Sequence, residues 1–348
     1  MGLTTSEPSV PGGVLAIDAG NSKTDVVIVA ADGSVLGTAR GGGFHPHRIG
    51  AAKAVAGLAP LVALAAHGAG LAPDGGPLVE QVSACLANAD FPVEEQRLEL
   101  ALHGYGWGRR TQVANDTFAI LRAGVAEPRG VAVVCGAGIN CVGMLPDGRT
   151  ARFPAVGRIS GDWGGGAELA EEALWWAARA EDGRGEPTAL AAVLPAHFGL
   201  GSMYALIEAL HLQEIAATRK HEMVPPLFRV AAEGDPVAVR IVRRQADEVV
   251  ALASVALDRL GLLAEEAAVV LGGGVLAARH PLLMDTIADR LAAAAPKAVA
   301  HVVTAPPVLG AALLGLDRLA ASDGVRARLR RHYEADAPQR AKTQQTGN

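Results

Sequence analysis

Short apolar blocks broken by polar turns open the chain. Val14–Ile17 is a β-prone run, Asp18-Ala19-Gly20-Asn21-Ser22-Lys23-Thr24 interrupts it, and Asp25–Ala30 resumes it. Ala31-Asp32-Gly33 then turns the chain into a third run, Val35–Arg40. This spacing predicts three strands joined by tight turns. Val131–Phe153 repeats the pattern: a strand, a turn at Gly136-Ala137-Gly138, a strand, an Asp147-Gly148 turn and a third strand. A duplicated unit of this kind predicts two related sheets. A further apolar run, Val269–Leu276, reads as a buried strand ending in Gly272-Gly273-Gly274.

Between these units the apolar spacing predicts helices over Ala51–Ala69 and Leu78–Asn88, and a strand over Leu98–His103. A glycine–aromatic loop, Gly104–Gly108, leads to a short strand at Gln112–Asp116 and a helix at Thr117–Gly124. Helices follow at Ala167–Ala180, Leu190–His197, Met203–Gln213, Val237–Gly261 and Pro281–Ala294. A short strand at Ala300–Thr304 precedes a last large helix after Pro306. Gly41–His47 and Asp74–Pro77 are too rich in Gly and Pro for regular structure. Residues 1–12 and 335–348 are polar, lack an apolar period and are expected to be disordered tails.

Composition narrows the function classes. The 348 residues suit two domains, and 50% hydrophobic content is enough for two cores. Only 4% are aromatic, so Ala, Val and Leu must fill those cores. A net charge of −5, with charges interspersed, argues against nucleic acid, which needs a basic face. Cys85, Cys135 and Cys141 form no CxxC pair, which suits a reducing, cytoplasmic setting. No signal-like leader and no uninterrupted membrane-length apolar stretch is expected; Ala51–Leu71 contains His and Gly and reads as packed helix.

The first turn carries candidate chemistry. Gly20 leaves room for a group to approach the backbone, and Asn21, Ser22, Lys23 and Thr24 surround it with amide, hydroxyl and ammonium donors. Asp18, at the end of the first strand, is a carboxylate able to hold hydrated Mg²⁺. Donors and a metal close together are what the phosphates of ATP require. The competing reading of this stretch alone is an ordinary solvated hairpin. Gly272-Gly273-Gly274-Val275-Leu276-Ala277 also fits the G-x-G-x-x-A of a dinucleotide fold, but no acidic strand end follows about twenty residues on.

Taken together and in order, the three glycine-bearing stretches resemble the phosphate 1, phosphate 2 and adenosine motifs of the actin-like ATPase and sugar kinase superfamily. The resemblance runs from about Val14 to Leu316. Within the superfamily the chain is similar to the N-acetylglucosamine kinase branch, grouped with the BadF/BadG/BcrA/BcrD ATPase family. The resemblance implies an α/β fold of two ribonuclease H-like (actin-like ATPase) domains around a central nucleotide and sugar cleft. The domains would be 13–116, joined by a C-terminal helix at about 318–334, and 117–317.

ATP and Mg²⁺ are then the implied cofactors, and a small amino sugar, N-acetylglucosamine, is the implied acceptor, giving the 6-phosphate. Asp18 would position the metal, Gly20–Thr24 and Gly136–Gly138 would meet phosphates, and Gly272–Gly274 would receive adenosine. Asp116 matches the family's catalytic aspartate: a sugar hydroxyl attacking a γ-phosphate needs a carboxylate to orient it and take its proton. Read without the resemblance, Asp116 is more readily a simple N-cap of the helix that follows it. Asn115, His45, Asn140, Gly157, Asp162 and Tyr105 are the implied sugar contacts. The family's usual Asn stands as His45 here, hydroxyls of its second turn stand as Ala137 and Ile139, its Trp as Val156 and its Glu as Trp163. The implied partners are sugar and ATP, with no nucleic acid or membrane, in a homodimer. Two alternatives stay open: an ATPase activator of an acyl-CoA dehydratase or reductase, with cysteines bridging an iron–sulfur cluster, and a non-catalytic sensor on the same fold.

Overall fold

The computed structural model describes residues 9–72 and 76–335. The predicted tails outside this range, and the Asp74-Gly75 part of the predicted break, lie outside the described residues. The chain divides into two compact units, one running to Pro128 and resuming at Val303, the other spanning Arg129–Val302. The sequence-based boundaries at 116/117 and 317/318 are therefore displaced: the helix after Asn115 and the helix after Pro306 both belong to the first unit.

In the first unit, β1 (Val10–Ala19), β2 (Lys23–Val29) and β3 (Val35–Gly42) form an antiparallel meander. The first strand starts at Val10, so residues 10–12 belong to the sheet rather than to a loose leader. The short helices α1 (Pro46–Ile49), α2 (Ala51–Ala56) and α3 (Ala59–Gly68) follow. Residues 51–68 have the length and hydropathy of a membrane span. They are broken at Gly57-Leu58, and Val55, Val62, Ala65 and Ala66 pack into the core instead. Next come β4 (Val79–Leu86), α4 (Pro92–His103), β5 (Gly108–Asn115) and α5 (Asp116–Gly124).

Two predicted elements are exchanged here. Leu78–Asn88, expected as helix, is the strand β4; Leu98–His103, expected as strand, is the last half of the helix α4. Strand β4 lies between β1 and β5 and is buried on both faces, so it shows no in–out alternation to mark it. The helix α4 is marked at its start by Pro92 at N1 and by Glu94 and Glu95 in the first turn.

The second unit repeats this plan. Strands β6 (Gly130–Cys135), β7 (Ile139–Met144) and β8 (Thr150–Arg152) form the second meander. Helices α6 (Gly165–Glu181), α7 (Leu190–His197), α8 (Met203–His211), α9 (Val224–Ala232) and α10 (Pro236–Arg259) follow. Strand β9 (Ala267–Gly272) stops at the glycines, and 274–277 are the short helix α11 (Gly274–Ala277) rather than more strand. The unit ends with α12 (Pro281–Ala294) and β10 (Ala298–Val302). The first unit is then completed by α13 (Pro307–Arg318) and α14 (Asp323–Ala335).

The sheets have orders β3-β2-β1-β4-β5 and, read from the matching edge, β8-β7-β6-β9-β10. In each, an antiparallel meander is extended by two parallel strands. The hairpin turns match too. Asp32 Oδ1 accepts from Ser34 N at 2.9 Å and Asp147 Oδ1 from Arg149 N at 3.0 Å, with Gly33 and Gly148 at φ 86° and 90°.

Strand β1 is buried on both sides. Leu15, Ile17 and Ala19 pack in one cluster with α2 and α3, while Val14 and Ala16 pack in another with Ala311, Ala312 and Leu316 of α13. Gly310 and Gly315 let α13 approach: a Cβ at Gly310 would sit 1.8 Å from Ala119 O, and one at Gly315 would sit 2.4 Å from Val14 Cγ1. That close docking brings α5, with Asp116 at its start, onto the face of the sheet that carries Asp18.

Candidate active site

In the first unit the candidate side chains lie at one end of the central strands. Strands β1, β4 and β5 run parallel, so Ala19, Leu86 and Asn115 end together. Arg40, Asp25, Asp18, Cys85 and Ala114 form one cross-strand row just inside that end. Asp18 and Asp25 are directly opposed, a placement unfavourable for two carboxylates. Cations relieve Asp25: Arg40 donates to both its oxygens at 2.6 and 3.1 Å, and Lys23 Nζ lies 3.4 Å away. Asp18 is only 6% exposed. Burial first, then the carboxylates of Asp116 and Asp25, push its pKa up to about 8.

The position of Asp116 follows from Asn115. Asn115 is the N-cap of α5: its Oδ1 accepts from Thr117 N at 3.0 Å. Its amide also donates to Asp90 Oδ1 at 2.9 Å, and its backbone N donates to Glu95 Oε1 at 3.1 Å. Asp116 is therefore not the cap; it stands one residue later, in the first turn, released from that task. Burial, then the charge of Asp90, raise its pKa to about 6. Asn115, an expected sugar contact, is 2% exposed, and its side-chain oxygen and nitrogen are both engaged in these internal bonds.

Other expected residues are redistributed. Asn21 and Ser22 are exposed on the first turn and Lys23 is partly so, but Thr24 is 1% exposed and its hydroxyl donates to Gly42 O at 2.8 Å. Thr24 thus fixes the turn instead of offering a phosphate donor. The glycine that the turn requires is Gly43: a Cβ there would lie 2.1 Å from Asn21 O, whereas one at Gly20 would meet Lys23 O at an ordinary 3.6 Å. Gly20 O accepts from Phe44 N at 2.9 Å, so the loop carrying His45 is tied to the turn.

The structure places Tyr105, an expected sugar contact, away from these candidates. It precedes β5, whose far end leads to Asp116, and strands β4 and β5 place Gly108 beside Val79 at the opposite end. At about 3.3 Å per residue that separates it by on the order of 20 Å. Its ring stacks on Trp107 at 4.6 Å.

In the second unit three glycine segments converge. Gly136 N donates to Gly138 O at 2.9 Å, closing the β6–β7 turn. The start of α6 docks onto that turn: Gly166 N donates to Gly136 O at 2.8 Å and Ala167 N to Ala137 O at 2.9 Å. A Cβ on Gly165, at φ +79°, would lie 2.3 Å from Gly138 O; one on Gly273, at φ +84°, would lie 2.3 Å from Cys135 O. Only glycine permits either approach.

This docking determines where the donors of the turn point. In a trans peptide the N–H lies opposite the preceding C=O. Because the carbonyls of Gly136 and Ala137 face α6, the N–H groups of Ala137 and Gly138 face away from it. Both residues are exposed, and neither amide has a protein acceptor among the described residues. Two adjacent outward N–H groups form a concavity suited to an anion. The side-chain hydroxyls that the resemblance led one to expect are not needed for it.

Asn140 pairs with Val134, facing away from the core pair Cys135 and Ile139, and its Oδ1 accepts from Cys141 N at 2.7 Å. Gly157 begins a turn of 3₁₀-helix in which Asp162 N donates to Gly157 O at 3.2 Å and Ser160 Oγ bonds Asp162 Oδ2. Trp163, where the related motif carries Glu, is buried beneath the Arg244 guanidinium at 3.9 Å. Asp90 and Glu95 have no motif of their own and reach Asn115 only through the fold, from 25 and 20 residues away.

Comparison with known proteins bears on the family and the fold. Residues 15–315 match the BadF/BadG/BcrA/BcrD ATPase family. The chain is 27% identical over 266 residues to the N-acetylmuramic acid/N-acetylglucosamine kinase of Clostridium acetobutylicum, covering 76% of this chain and 85% of that protein. It is 26% identical over 310 residues to the N-acetyl-D-glucosamine kinase of Dictyostelium discoideum, covering 87% and 97%. Among solved structures, a Chromobacterium violaceum protein provisionally assigned as an N-acetylglucosamine kinase superposes with a TM-score of 0.66 at 25% identity, over 88% of this chain and 99% of that one. The repeated five-stranded topology is the actin-like ATPase fold, and with a match that spans both of its sheets the chain belongs to the BadF/BadG/BcrA/BcrD ATPase family.

Proposed function

We propose that the protein is an ATP-dependent sugar kinase that transfers the γ-phosphate to a hydroxyl of a small amino sugar, N-acetylglucosamine in the first instance, giving the 6-phosphate. The observation that carries this reading is the division of labour at 115 and 116. Asn115 caps α5, which leaves Asp116 a carboxylate with a pKa raised to about 6, suited to accept a hydroxyl proton near neutral pH. The names of the curated relatives support a sugar acceptor.

In this reading Asp116 orients the acceptor hydroxyl and takes its proton as the oxygen attacks phosphorus. In the second unit Ala137 N–H and Gly138 N–H hold phosphate oxygens; in the first, Lys23 and the exposed Ser22 are the phosphate donors. Gly272–Gly274 receive the adenosine. His45 and Asp162 contact the acceptor. Mg²⁺ fits the donor set: Asp18 is a buried carboxylate crowded by two others, and one protein carboxylate completed by water and phosphate is a common Mg²⁺ arrangement. Asp18 would hold the ion through water, and the ion would neutralise phosphate charge.

The cluster-bridging alternative is disfavoured because Cys85, Cys135 and Cys141 are all buried, and burial pushes each thiol well above its ordinary pKa. A coupled ADP-release assay over a panel of sugars with ATP and Mg²⁺ tests the proposal. Wild-type turnover with an amino sugar is expected. Asp116→Ala should bind ATP and transfer nothing; near-normal turnover in that variant would remove Asp116 as the base.

A further inference from the structure

Midway along α10 a polar side chain is fully buried. Gln245 is 0% exposed, on a helix whose other buried positions are Val, Ile, Ala and Leu. A buried amide must be hydrogen-bonded or it destabilises the core. Gln245 Oε1 accepts from Gly165 N at 2.8 Å, and Nε2 donates to Cys135 Sγ at 3.5 Å. The amide also lies flat on Gly164, where an added Cβ would meet both Oε1 and Nε2 at 2.8 Å. One side chain therefore grips the last residue of β6 and the first residue of α6, which lie on either side of the β6–β7 turn.

Among the four N–H groups that a helix start leaves without an intrahelical partner, α6 has those of Gly165, Gly166 and Ala167. Two of these three donate to carbonyls of the turn, and the third, Gly165 N, is satisfied by Gln245. Those same two carbonyl bonds turn Ala137 N–H and Gly138 N–H outward. We propose that Gln245 is a positioning residue for nucleotide binding: it locks α6 against the β6–β7 turn and so aims the two backbone donors at the phosphates of the nucleotide. The inference rests on the nucleotide-binding part of the proposed function and needs no particular sugar.

The test compares Gln245→Met with Gln245→Glu. Met keeps the length and fills the space but accepts nothing from Gly165 N. Glu keeps the acceptor and introduces a buried carboxyl, which weakens the fold. The two variants thus separate stability from positioning. Equilibrium binding of a non-hydrolysable ATP analogue with Mg²⁺ is measured by calorimetry, alongside thermal melting and KM values for ATP and sugar.

Gln245→Met is expected to weaken analogue binding and raise the KM for ATP by about tenfold or more, while the sugar KM moves far less. Gln245→Glu is expected to melt at a lower temperature than Gln245→Met yet bind the analogue within about threefold of wild type. A merely structural role would lower the active fraction, and hence kcat, without moving the Kd. Unchanged analogue affinity in Gln245→Met, or affinities that follow melting temperature in both variants, overturns the proposal. If the wild type binds the analogue but phosphorylates no sugar, the kinase reading fails and the Kd comparison still decides the role of Gln245. If the wild type binds no nucleotide, both fall.

Discussion

Replacing Asp116 by Asn should abolish transfer and stabilise the free protein at alkaline pH. Burial and the Asp90 charge raise this carboxyl from the ordinary 3.8 to about 6. At about 1.4 kcal/mol per tenfold change in proton affinity, that is an unfavourable contribution of about 3 kcal/mol once the group is ionised. The sign follows from the direction of the shift. The folded state holds the proton more tightly than the unfolded one, so the advantage is complete below 3.8 and is lost as pH rises through 6. Asn cannot ionise and escapes that loss, and it also relieves Asp18, whose pKa Asp116 raises. Denaturant unfolding of wild type and Asp116→Asn at pH 4 and pH 8 measures the difference. The variant should gain on the order of 2–3 kcal/mol at pH 8 and little at pH 4. An equal difference at both pH values, or a variant less stable at pH 8, would refute the claim that a partly buried, ionised carboxylate stands at this position.

Further outcomes follow from the same geometry. The kcat/KM for the acceptor should fall tenfold per pH unit below about 6, as Asp116 becomes protonated, and a flat profile from pH 5 to 8 would contradict its role as base. Asn115→Ala removes the cap of α5 and the partner of Asp90; it should destabilise by about 1–2 kcal/mol and lower kcat more than the KM for ATP. Gly165→Ala would place a Cβ 2.3 Å from Gly138 O at φ +79°, so nucleotide binding should be lost together with several kcal/mol of stability, on the order of 2–4, read by analogue titration and melting. Tyr105→Ala should leave sugar KM and kcat within about twofold, since surface changes away from a site are usually near neutral.

Much of the candidate site is legible in linear order. The Asp18–Thr24 turn, the Gly136–Gly138 turn and the glycines after β9 each combine a strand with its break, and local sterics are enough to identify them. The duplicated meander is visible for the same reason: Asp-Gly turns need positive φ at Gly33 and Gly148, and that demand is local. The exchange of β4 and α4 has a different origin. Leu78, Val82 and Leu86 recur every four residues and imitate a helix face, but a strand covered on both sides is under no pressure to alternate.

The residue sequence alone determined the fold class, the repeat, the family resemblance and the prominence of Asp116, because each depends on a short run of neighbours and the spacing between runs. Tertiary structure decided which of those residues are accessible and what they are used for. It turned Asn115 into a cap, sealed the Thr24 hydroxyl against Gly42 and moved Tyr105 to the far end of the strands. It also brought Asp90 to Asn115 and Gln245 to Gly165, a pair 80 residues apart. Side-chain direction, burial and the pairing of buried polar groups are properties of packed surfaces, and a buried amide finds its partner wherever the fold delivers one.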